Sequence, residues 1–381
     1  MNTRKTTIGI LSLCAVGLSY MALSPIIASI SAAFPEANVT LAQLVLTLPS
    51  FLFIVCSPLS GIAMSFINKK AIALFSLACY FVGGLFPFFF YSNIYWLLAG
   101  SAIIGVGTGF LMPLINGFIV QYFDKNERAM LMGLNATFTA LGALLFIFIA
   151  GQLSRFGWRY SYLVFTLVAL IIVIAMICLP KGAPEKSDET EKGGSAFEMN
   201  PYIFGLFIIG IIYFIMQNSF NTNSSAYVQE IVGAGASVAS LVTMVNTVGG
   251  IIGGMTFKSV VGRFGKQVET VTLVVVAIGF FLAYFAKSLS LIAIGSFFIG
   301  YGFAVMNAAG SYLLSLNTRP ETNAFTVSIY LALINLGASL SPIVINSLGS
   351  IIGESIAIKF MFVGIVILLT GIGSFAINKK R

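Results

Sequence analysis

The chain has 381 residues, of which 58% are hydrophobic and 8% are charged, and its mean hydropathy is +1.00. Soluble domains carry roughly 25% charged residues, so this composition excludes an ordinary water-soluble protein and indicates one surrounded by lipid. The net charge is +8, and the chain contains no histidine.

Long apolar runs predict α-helical membrane spans, because about 20 helical residues cross a hydrocarbon core and barrel strands are only about 10 residues long. No charged residue lies deep inside any run. The first run follows Arg4 and Lys5, so a signal peptide is the alternative, but the run is long, no clear small-residue cleavage site follows it, and eleven more spans come after it. The predicted spans are 8–30, 41–66, 70–91, 95–122, 129–152, 159–180, 201–229, 236–260, 267–286, 289–317, 322–350 and 355–377. The predicted fold class is therefore an all-α membrane protein with twelve transmembrane helices.

The distribution of lysine and arginine predicts that both termini face the cytoplasm. In that orientation sixteen of the twenty basic residues lie inside, and only Arg155, Arg159, Lys287 and Lys359 lie outside. The positive charge is spread over short loops, so it indicates topology and attraction to the lipid bilayer, with no nucleic-acid partner. The expected location is the cell membrane of a bacterium, as a multi-pass protein.

Residues 181–200 interrupt the apolar pattern with the sequence KGAPEKSDETEKGGSAFEMN. This polar segment cannot bury enough apolar surface to fold alone, so it is predicted to be a cytoplasmic linker. Six spans precede it and six follow it. The predicted domains are therefore an N-terminal half, 1–180, and a C-terminal half, 201–381.

The two halves are related in sequence at an offset of 195 residues. Gly100, Ser101, Ile104, Gly105 and Gly107 recur as Gly295, Ser296, Ile299, Gly300 and Gly302, and Leu141, Gly142, Ala143 and Leu145 recur as Leu336, Gly337, Ala338 and Leu340. The same register also pairs Ala129 with Ala324, so no gap is needed across about 50 residues. The halves are predicted to be parallel repeats of six helices.

This organisation resembles the major facilitator superfamily, whose loop between helices 2 and 3 usually reads Gly-x-x-x-Asp-Arg-x-Gly-Arg/Lys-Arg/Lys. Gly61, Lys69 and Lys70 match that motif, whereas Ser65, Phe66 and Asn68 replace its Asp, Arg and Gly. Further matches are Arg263, Phe264, Gly265 and Lys266 in the second-half copy, Glu127, Arg128 and Gly133 after helix 4, and Gly157, Trp158 and Arg159 before helix 6. The resemblance implies alternating-access transport. It places Gly61, Lys69, Lys70, Arg128, Arg263 and Lys266 in cytoplasmic gate loops.

Two departures from the family argue against a drug/proton antiporter of the common pattern. Such antiporters commonly carry an Arg four residues before a Gly in helix 4, where this chain has Ser101 before Gly105. Their helix 5 usually carries Gly-Pro, whereas Gly142 is followed here by Ala143. Efflux by another pattern stays open as an alternative.

Asparagine and glutamine residues within the spans predict the substrate site, because their amides are costly in lipid. They are absent from the interiors of spans 3, 6, 9 and 12, which are peripheral in the family fold. Span 7 carries the densest group, QNSFNTNSS at 217–225, in which Gln217, Asn221 and Ser224 recur at helical spacing. The alternative is that span 7 ends early and this run is an extracellular loop.

The predicted substrate-binding residues are Tyr20, Ser24, Asn116, Asn135, Gln217, Asn221, Asn246, Asn307 and Asn335. For the single amides Asn116, Asn135, Asn246, Asn307 and Asn335, the alternative is a structural hydrogen bond to a neighbouring helix.

A membrane enzyme is disfavoured because the chain lacks histidine and embedded acids. No metal site, disulfide framework or cofactor is predicted, since the four cysteines lie in spans at unrelated spacings. The predicted function is a monomeric secondary transporter for a small neutral, zwitterionic or amphipathic organic solute. The alternatives are an efflux pump for drugs or toxic metabolites, an organic-anion carrier using Arg155, Arg159 or Lys359, and a transporter-like sensor. Glu36, Glu230 and Glu354 are the outward acids, and therefore the candidate external proton sites.

Overall fold

The computed structural model describes residues 3–123, 125–180, 200–318, 320–353 and 355–379. All twelve predicted spans are helical in it, and we number them α1 to α12. Helix α1 consists of Thr3–Cys14, a 3₁₀ segment Ser19–Ile26 and Ile27–Ala33, and α6 consists of a 3₁₀ segment Trp158–Thr166 followed by Leu167–Cys178. The others are α2 Val39–Phe66, α3 Lys69–Phe89, α4 Ile94–Tyr122, α5 Lys125–Leu153, α7 Pro201–Val232, α8 Ala236–Phe264, α9 Val268–Tyr284, α10 Leu289–Ser315, α11 Pro320–Ile352 and α12 Ile356–Lys379.

Eleven stretches of described helix are long and apolar enough to cross a membrane. One of them, Ala236–Tyr284, is 49 residues long and contains both α8 and α9. The two helices are separated at Gly265, whose φ of +54° lies in the left-handed region that glycine adopts without steric cost. The twelve predicted helices are therefore confirmed.

Asparagine side chains cap several of these helices and thereby determine where they begin. Asn68 Oδ1 accepts from the backbone N–H of Ala71 at 2.8 Å at the start of α3, and Asn200 Oδ1 accepts from Ile203 N–H at 2.9 Å at the start of α7. Asn38 and Asn93 cap α2 and α4 in the same way. Each cap satisfies an amide that the helix itself leaves unpaired, which contributes about 1 kcal/mol.

Contacts divide the chain into two compact units, on either side of residue 190. That division falls inside the predicted linker, of which residues 181–199 lie outside the described part of the chain. In both units the third and fourth helices approach so closely that glycine is required at the crossing. A Cβ added at Gly83 would lie 2.7 Å from Gly100 O, and one added at Gly279 would lie 2.8 Å from Gly295 O.

The same correspondence holds for the first and fifth helices of each unit. A Cβ at Gly142 in α5 would overlap the carbonyl oxygen of Ala15 in α1, and a Cβ at Gly337 in α11 would lie 2.9 Å from Ile211 O in α7. Gly142 and Gly337 are partners in the 195-residue repeat. The repeat seen in the sequence therefore preserves contacts between helix backbones, as expected where small residues mediate helix packing in lipid.

Replacing Gly300 by alanine should destabilise the protein, because its Cβ would overlap the backbone oxygen of Asn246 in α8. Forcing a methyl group into a packed contact typically costs about 1–3 kcal/mol. Gly254→Ala in α8 is the matched control, since no atom lies within 4 Å of its added Cβ. Thermal unfolding of the purified protein in detergent should show a lower midpoint for Gly300→Ala only; equal midpoints for both variants would contradict the packing described here.

The predicted orientation can be tested by cysteine labelling. Single cysteines placed near Lys125 and near Lys287, in a background in which the four native cysteines are replaced, should react with a membrane-impermeant reagent from opposite sides. Reaction of both from the same side would contradict the topology.

Candidate functional site

The polar run 217–225 lies within a continuous helix. Helix α7 extends from Pro201 to Val232 and ends at Gly233, which has a left-handed φ of +66°. Its 32 residues are about 48 Å long at 1.5 Å per residue. The alternative that this run is an extracellular loop is therefore wrong.

Part of the polar run connects α7 to α11. Asn218 Nδ2 donates to the carbonyl oxygen of Ala338 at 2.7 Å, and Asn221 Nδ2 donates to Asn218 Oδ1 at 3.2 Å. From the other helix, Ser341 Oγ donates to the carbonyl oxygen of Ile215 at 2.6 Å. Because the amide nitrogen of Asn221 donates to Asn218, the orientation of the whole Asn221 amide group, including its Oδ1, is fixed.

Gln217 has no such support. Its side chain is only 1% exposed, and neither its amide nitrogen nor its amide oxygen has a hydrogen-bond partner among the described residues. The hydroxyl groups of Tyr213 and Ser224 are buried and unpartnered in the same way, and they lie on the same face of α7 at i−4 and i+7. A buried polar group without a partner costs about 1–3 kcal/mol, so three on one helical face indicate a surface that is completed by a ligand or by water.

The other predicted amides of this unit differ from Gln217. Asn246 Nδ2 donates to the carbonyl oxygen of Ser296 at 2.9 Å, and Ser296 Oγ donates to Val242 O at 2.8 Å, so Asn246 links α8 to α10. Asn335 Nδ2 donates to Leu331 O in its own helix at 2.8 Å. Asn307 is half-buried on α10. The Asn246 contact matches the structural alternative for the single amides.

In the first unit the predicted residues are more dispersed. Tyr20 lies in the 3₁₀ segment of α1 and its hydroxyl group is 3.5 Å from Ser50 Oγ of α2, while Ser24 is buried one turn further along. Asn135 Oδ1 accepts from Thr139 Oγ at 3.2 Å within α5, and Asn116 on α4 is exposed.

Four hydroxyl groups in the first unit were not predicted as site residues, although they are buried without a partner in the described part of the chain. They belong to Ser19, Thr47, Ser101 and Tyr162. Ser101 occupies the helix 4 position at which the common antiporter pattern has Arg, so the sequence did contain a signal for it. Ser296, which pairs with Ser101 in the 195-residue repeat, donates a hydrogen bond to Val242 O, whereas the Ser101 hydroxyl group has no hydrogen-bond partner among the described residues.

The motif lysines contact helix ends. Lys69 is completely buried, and its Nζ donates to the carbonyl oxygen of Gly117 near the end of α4 at 3.0 Å. Lys70 Nζ donates to Met176 O and Leu179 O at the end of α6. Cations at helix C-termini pair with unsatisfied carbonyl groups and with the negative end of the helix dipole.

Two of the remaining predicted gate residues are exposed. Arg263 and Lys266 are exposed, no atom lies within 4 Å of a Cβ added at Gly61, and the side chain of Arg128 lies outside the described residues. The assignment of all six to a gate stays a prediction.

One acidic residue is buried at the start of a helix. Glu269 is the second residue of α9, and its side chain is 0% exposed. Its position at the end of a span agrees with the prediction, whereas its complete burial by the protein was not predicted. The hydropathy pattern placed this residue at a span end, where water contact is usual, but α12 packs against α9 there and Ser374 of α12 donates a hydrogen bond to the carboxyl group.

A family model of the Major Facilitator Superfamily matches residues 9–268 and 206–380. The chain belongs to this superfamily. The predicted fold, a transporter fold of two six-helix repeats, is thereby confirmed.

Solved structures of transporters share the fold at low sequence identity. A nucleoside transporter, NupG, aligns with a TM-score of 0.81 at 15% identity, covering 98% of both chains. A bacterial homolog of the human lysosomal transporter Spinster, in an inward-facing and occupied conformation, aligns with a TM-score of 0.78 at 15% identity over 100% of this chain and 98% of that one. A D-xylose–proton symporter aligns with a TM-score of 0.77 at 16% identity over 98% of both chains. At such identities the likeness establishes the fold, and the site must be argued from the residues of this chain.

The hydrogen bond from Asn246 to α10 predicts that removing this side chain destabilises the protein. Asn246→Ala should lower the unfolding midpoint, because it removes a bond between α8 and α10, and such bonds in membrane proteins average about 0.6 kcal/mol. Thermal unfolding in detergent would measure this loss, with Asn335→Ala, whose amide bonds within its own helix, as the control. An unchanged midpoint together with a loss of ligand binding would instead assign Asn246 to the substrate site.

Proposed function

We propose that this protein is a secondary transporter that moves a small organic solute, neutral overall or zwitterionic, across the cell membrane by alternating access. The observation that carries the proposal is the buried and unpartnered amide of Gln217 on α7. An amide presents both a donor and an acceptor. Its natural ligand is therefore a group with both capacities, such as a hydroxyl or another amide.

The charge of the solute follows from the side chains of the same face. Tyr213, Gln217, Asn221 and Ser224 are all uncharged, and no charged side chain lies in the run 213–225. A strongly ionic ligand would lose its hydration here without gaining an opposite charge, which is unfavourable in a buried site. The buried Lys69 of the other unit is already bonded to the carbonyl oxygen of Gly117.

Aromatic side chains beside this face favour a solute with an apolar surface as well. The Phe214 ring packs edge-on against Tyr213 at 5.1 Å and against Phe303 of α10 at 5.6 Å. An amphipathic molecule would place its polar group at Gln217 and its apolar part against these rings. NupG and the D-xylose–proton symporter are described as carriers of a nucleoside and of a sugar, and neutral polar solutes of that kind are compatible with the residues found here.

The solute can be identified by a thermal-shift screen of the purified protein against neutral, zwitterionic and ionic metabolites and drugs. Each compound that stabilises the protein is then tested for transport in proteoliposomes. Stabilisation by neutral or zwitterionic compounds is expected, because a ligand that binds only the folded state raises its stability by mass action. If only strong anions or cations stabilise and are transported, the proposed substrate class is wrong.

Gln217→Ala and Asn221→Ala should each weaken apparent substrate affinity by roughly two- to tenfold, the effect of one neutral hydrogen bond worth about 0.5–1.5 kcal/mol. Folding and membrane abundance should stay near wild type. Asn223→Ala is the control on the same helix, because the Asn223 amide donates to Ser219 O one turn away at 2.8 Å. Unchanged affinity in both test variants would remove α7 from the proposed site.

A further inference from the structure

Glu269 is enclosed at one end of the second unit, away from the polar run of α7. Its Oε2 accepts from Ser374 Oγ of α12 at 3.2 Å, and its Oε1 has no hydrogen-bond partner among the described residues. No ion pair to this carboxyl group is found among the described side chains. An ionised carboxylate that is desolvated and lacks a cation is strongly unfavourable, so the group is stable here in its neutral, protonated form.

Ser374 connects Glu269 to the ends of three helices. Thr270 Oγ donates to Ser374 Oγ at 3.1 Å, and Asn378 Nδ2 donates to the same oxygen at 3.3 Å. Tyr202 at the start of α7 donates from its hydroxyl group to Asn378 Oδ1 at 2.9 Å. The starts of α7 and α9 and the end of α12 are all predicted to face the cytoplasm, so the network lies near cytoplasmic water.

Two buried tyrosines, Tyr330 of α11 and Tyr213 of α7, lie in the same unit. The Tyr330 ring of α11 fills the space beside Gly210 and Gly310, where an added Cβ would overlap it. Both tyrosine hydroxyl groups are buried without a hydrogen-bond partner in the described part of the chain. Tyr213 is one turn from Gln217 on α7, and the hydrogen-bond network of Glu269 reaches the same helix at Tyr202. A change of charge at Glu269 therefore alters the contacts of the helix that carries the proposed substrate site.

We propose that Glu269 is a proton-binding site that couples the protonation state of the cytoplasmic side to the α7 face. In the release step the carboxyl O–H bond breaks, its electron pair stays on the carboxylate oxygen, and the proton passes to water. The resulting charge disfavours the closed packing of α9 against α12 and favours an arrangement in which the carboxylate is hydrated. The coupling to transport rests on the proposed function, whereas proton binding itself does not.

Several titratable or charged groups face this region. Tyr202, Tyr213 and Tyr330 are buried phenols that lie on α7 and α11. Arg263 and Lys266, just before α9, are exposed, and Tyr312 on α10 is half-buried. Arg319 and Lys380 and Arg381 lie outside the described residues, as does the side chain of Lys379. Lys379→Gln is therefore included in the test, because a pairing cation there would keep Glu269 ionised.

Infrared difference spectroscopy of the purified protein between acidic and alkaline buffers tests proton binding without any substrate. The wild-type protein should show the carbonyl stretch of a protonated carboxyl group that persists at neutral pH and disappears on alkalinisation. Glu269→Gln, which keeps the shape of the side chain, should abolish that band. Glu230→Gln and Glu36→Gln should retain it, because both of these glutamates are exposed.

Ser374→Ala is a second test of the same carboxyl group, for use if Glu269→Gln folds poorly. Removing the single hydroxyl donor to Oε2 should shift the disappearance of the band to higher pH, since that bond favours the ionised form. Lys379→Gln should leave the band in place.

Three outcomes would overturn the proposal. The first is that the wild type has no carboxyl band at neutral pH. The second is that the band survives in Glu269→Gln. The third is that sodium ions at constant pH remove it in the wild type, which would assign the site to a metal cation.

Transport of a solute found in the screen should lose its dependence on internal pH in Glu269→Gln. Normal proton binding combined with pH-independent transport in the wild type would refute the coupling while leaving the transport function intact.

Discussion

In a lipid environment, a polar group must find its partner within the protein, and this requirement organises the whole molecule. Backbone amides and carbonyls are satisfied within helices, and the helix ends, where four groups remain unpaired, are supplied by side chains. Asn68 and Asn200 cap the starts of α3 and α7. Lys70, a predicted gate residue, donates to carbonyl groups at the end of α6, and Lys69 donates to the carbonyl oxygen of Gly117 in the second half of α4.

The same requirement explains the interruption of α1. Its helical bonding changes between Cys14 and Ser19, where a turn leads into the 3₁₀ segment. The Tyr80 hydroxyl group of α3 donates to the carbonyl oxygen of Gly17 at 3.0 Å and lies 2.8 Å from Thr108 Oγ of α4. A carbonyl group freed by irregular backbone is thus satisfied by neighbouring helices, which is the condition under which irregular backbone is tolerated at membrane depth. Close glycine crossings bring those neighbours near enough to do so.

Exceptions to polar satisfaction are informative because they are expensive. Asn246 and Ser296 form hydrogen bonds between α8 and α10, so a structural role explains why these polar side chains are buried there. Gln217 and Glu269 have no such structural explanation, since each retains at least one buried side-chain atom without a hydrogen-bond partner in the described structure. An uncharged amide in that state suits an organic ligand, whereas a carboxyl group in that state suits a proton. The two residues therefore point to different ligands within one unit of the protein.

The sequence by itself determined the twelve helices, because exclusion of charge from lipid acts on each segment independently of the others. It also located the glycine repeat and the polar run of α7, since both are periodic along the chain. It did not separate Gln217 from Asn246, because whether an amide is bonded depends on which carbonyl of a neighbouring helix faces it. Nor did it find that Glu269 is buried, because α12, which is more than 80 residues away in sequence, covers it. Those distinctions depend on the rotation and approach of helices remote in sequence, and only the tertiary structure decided them.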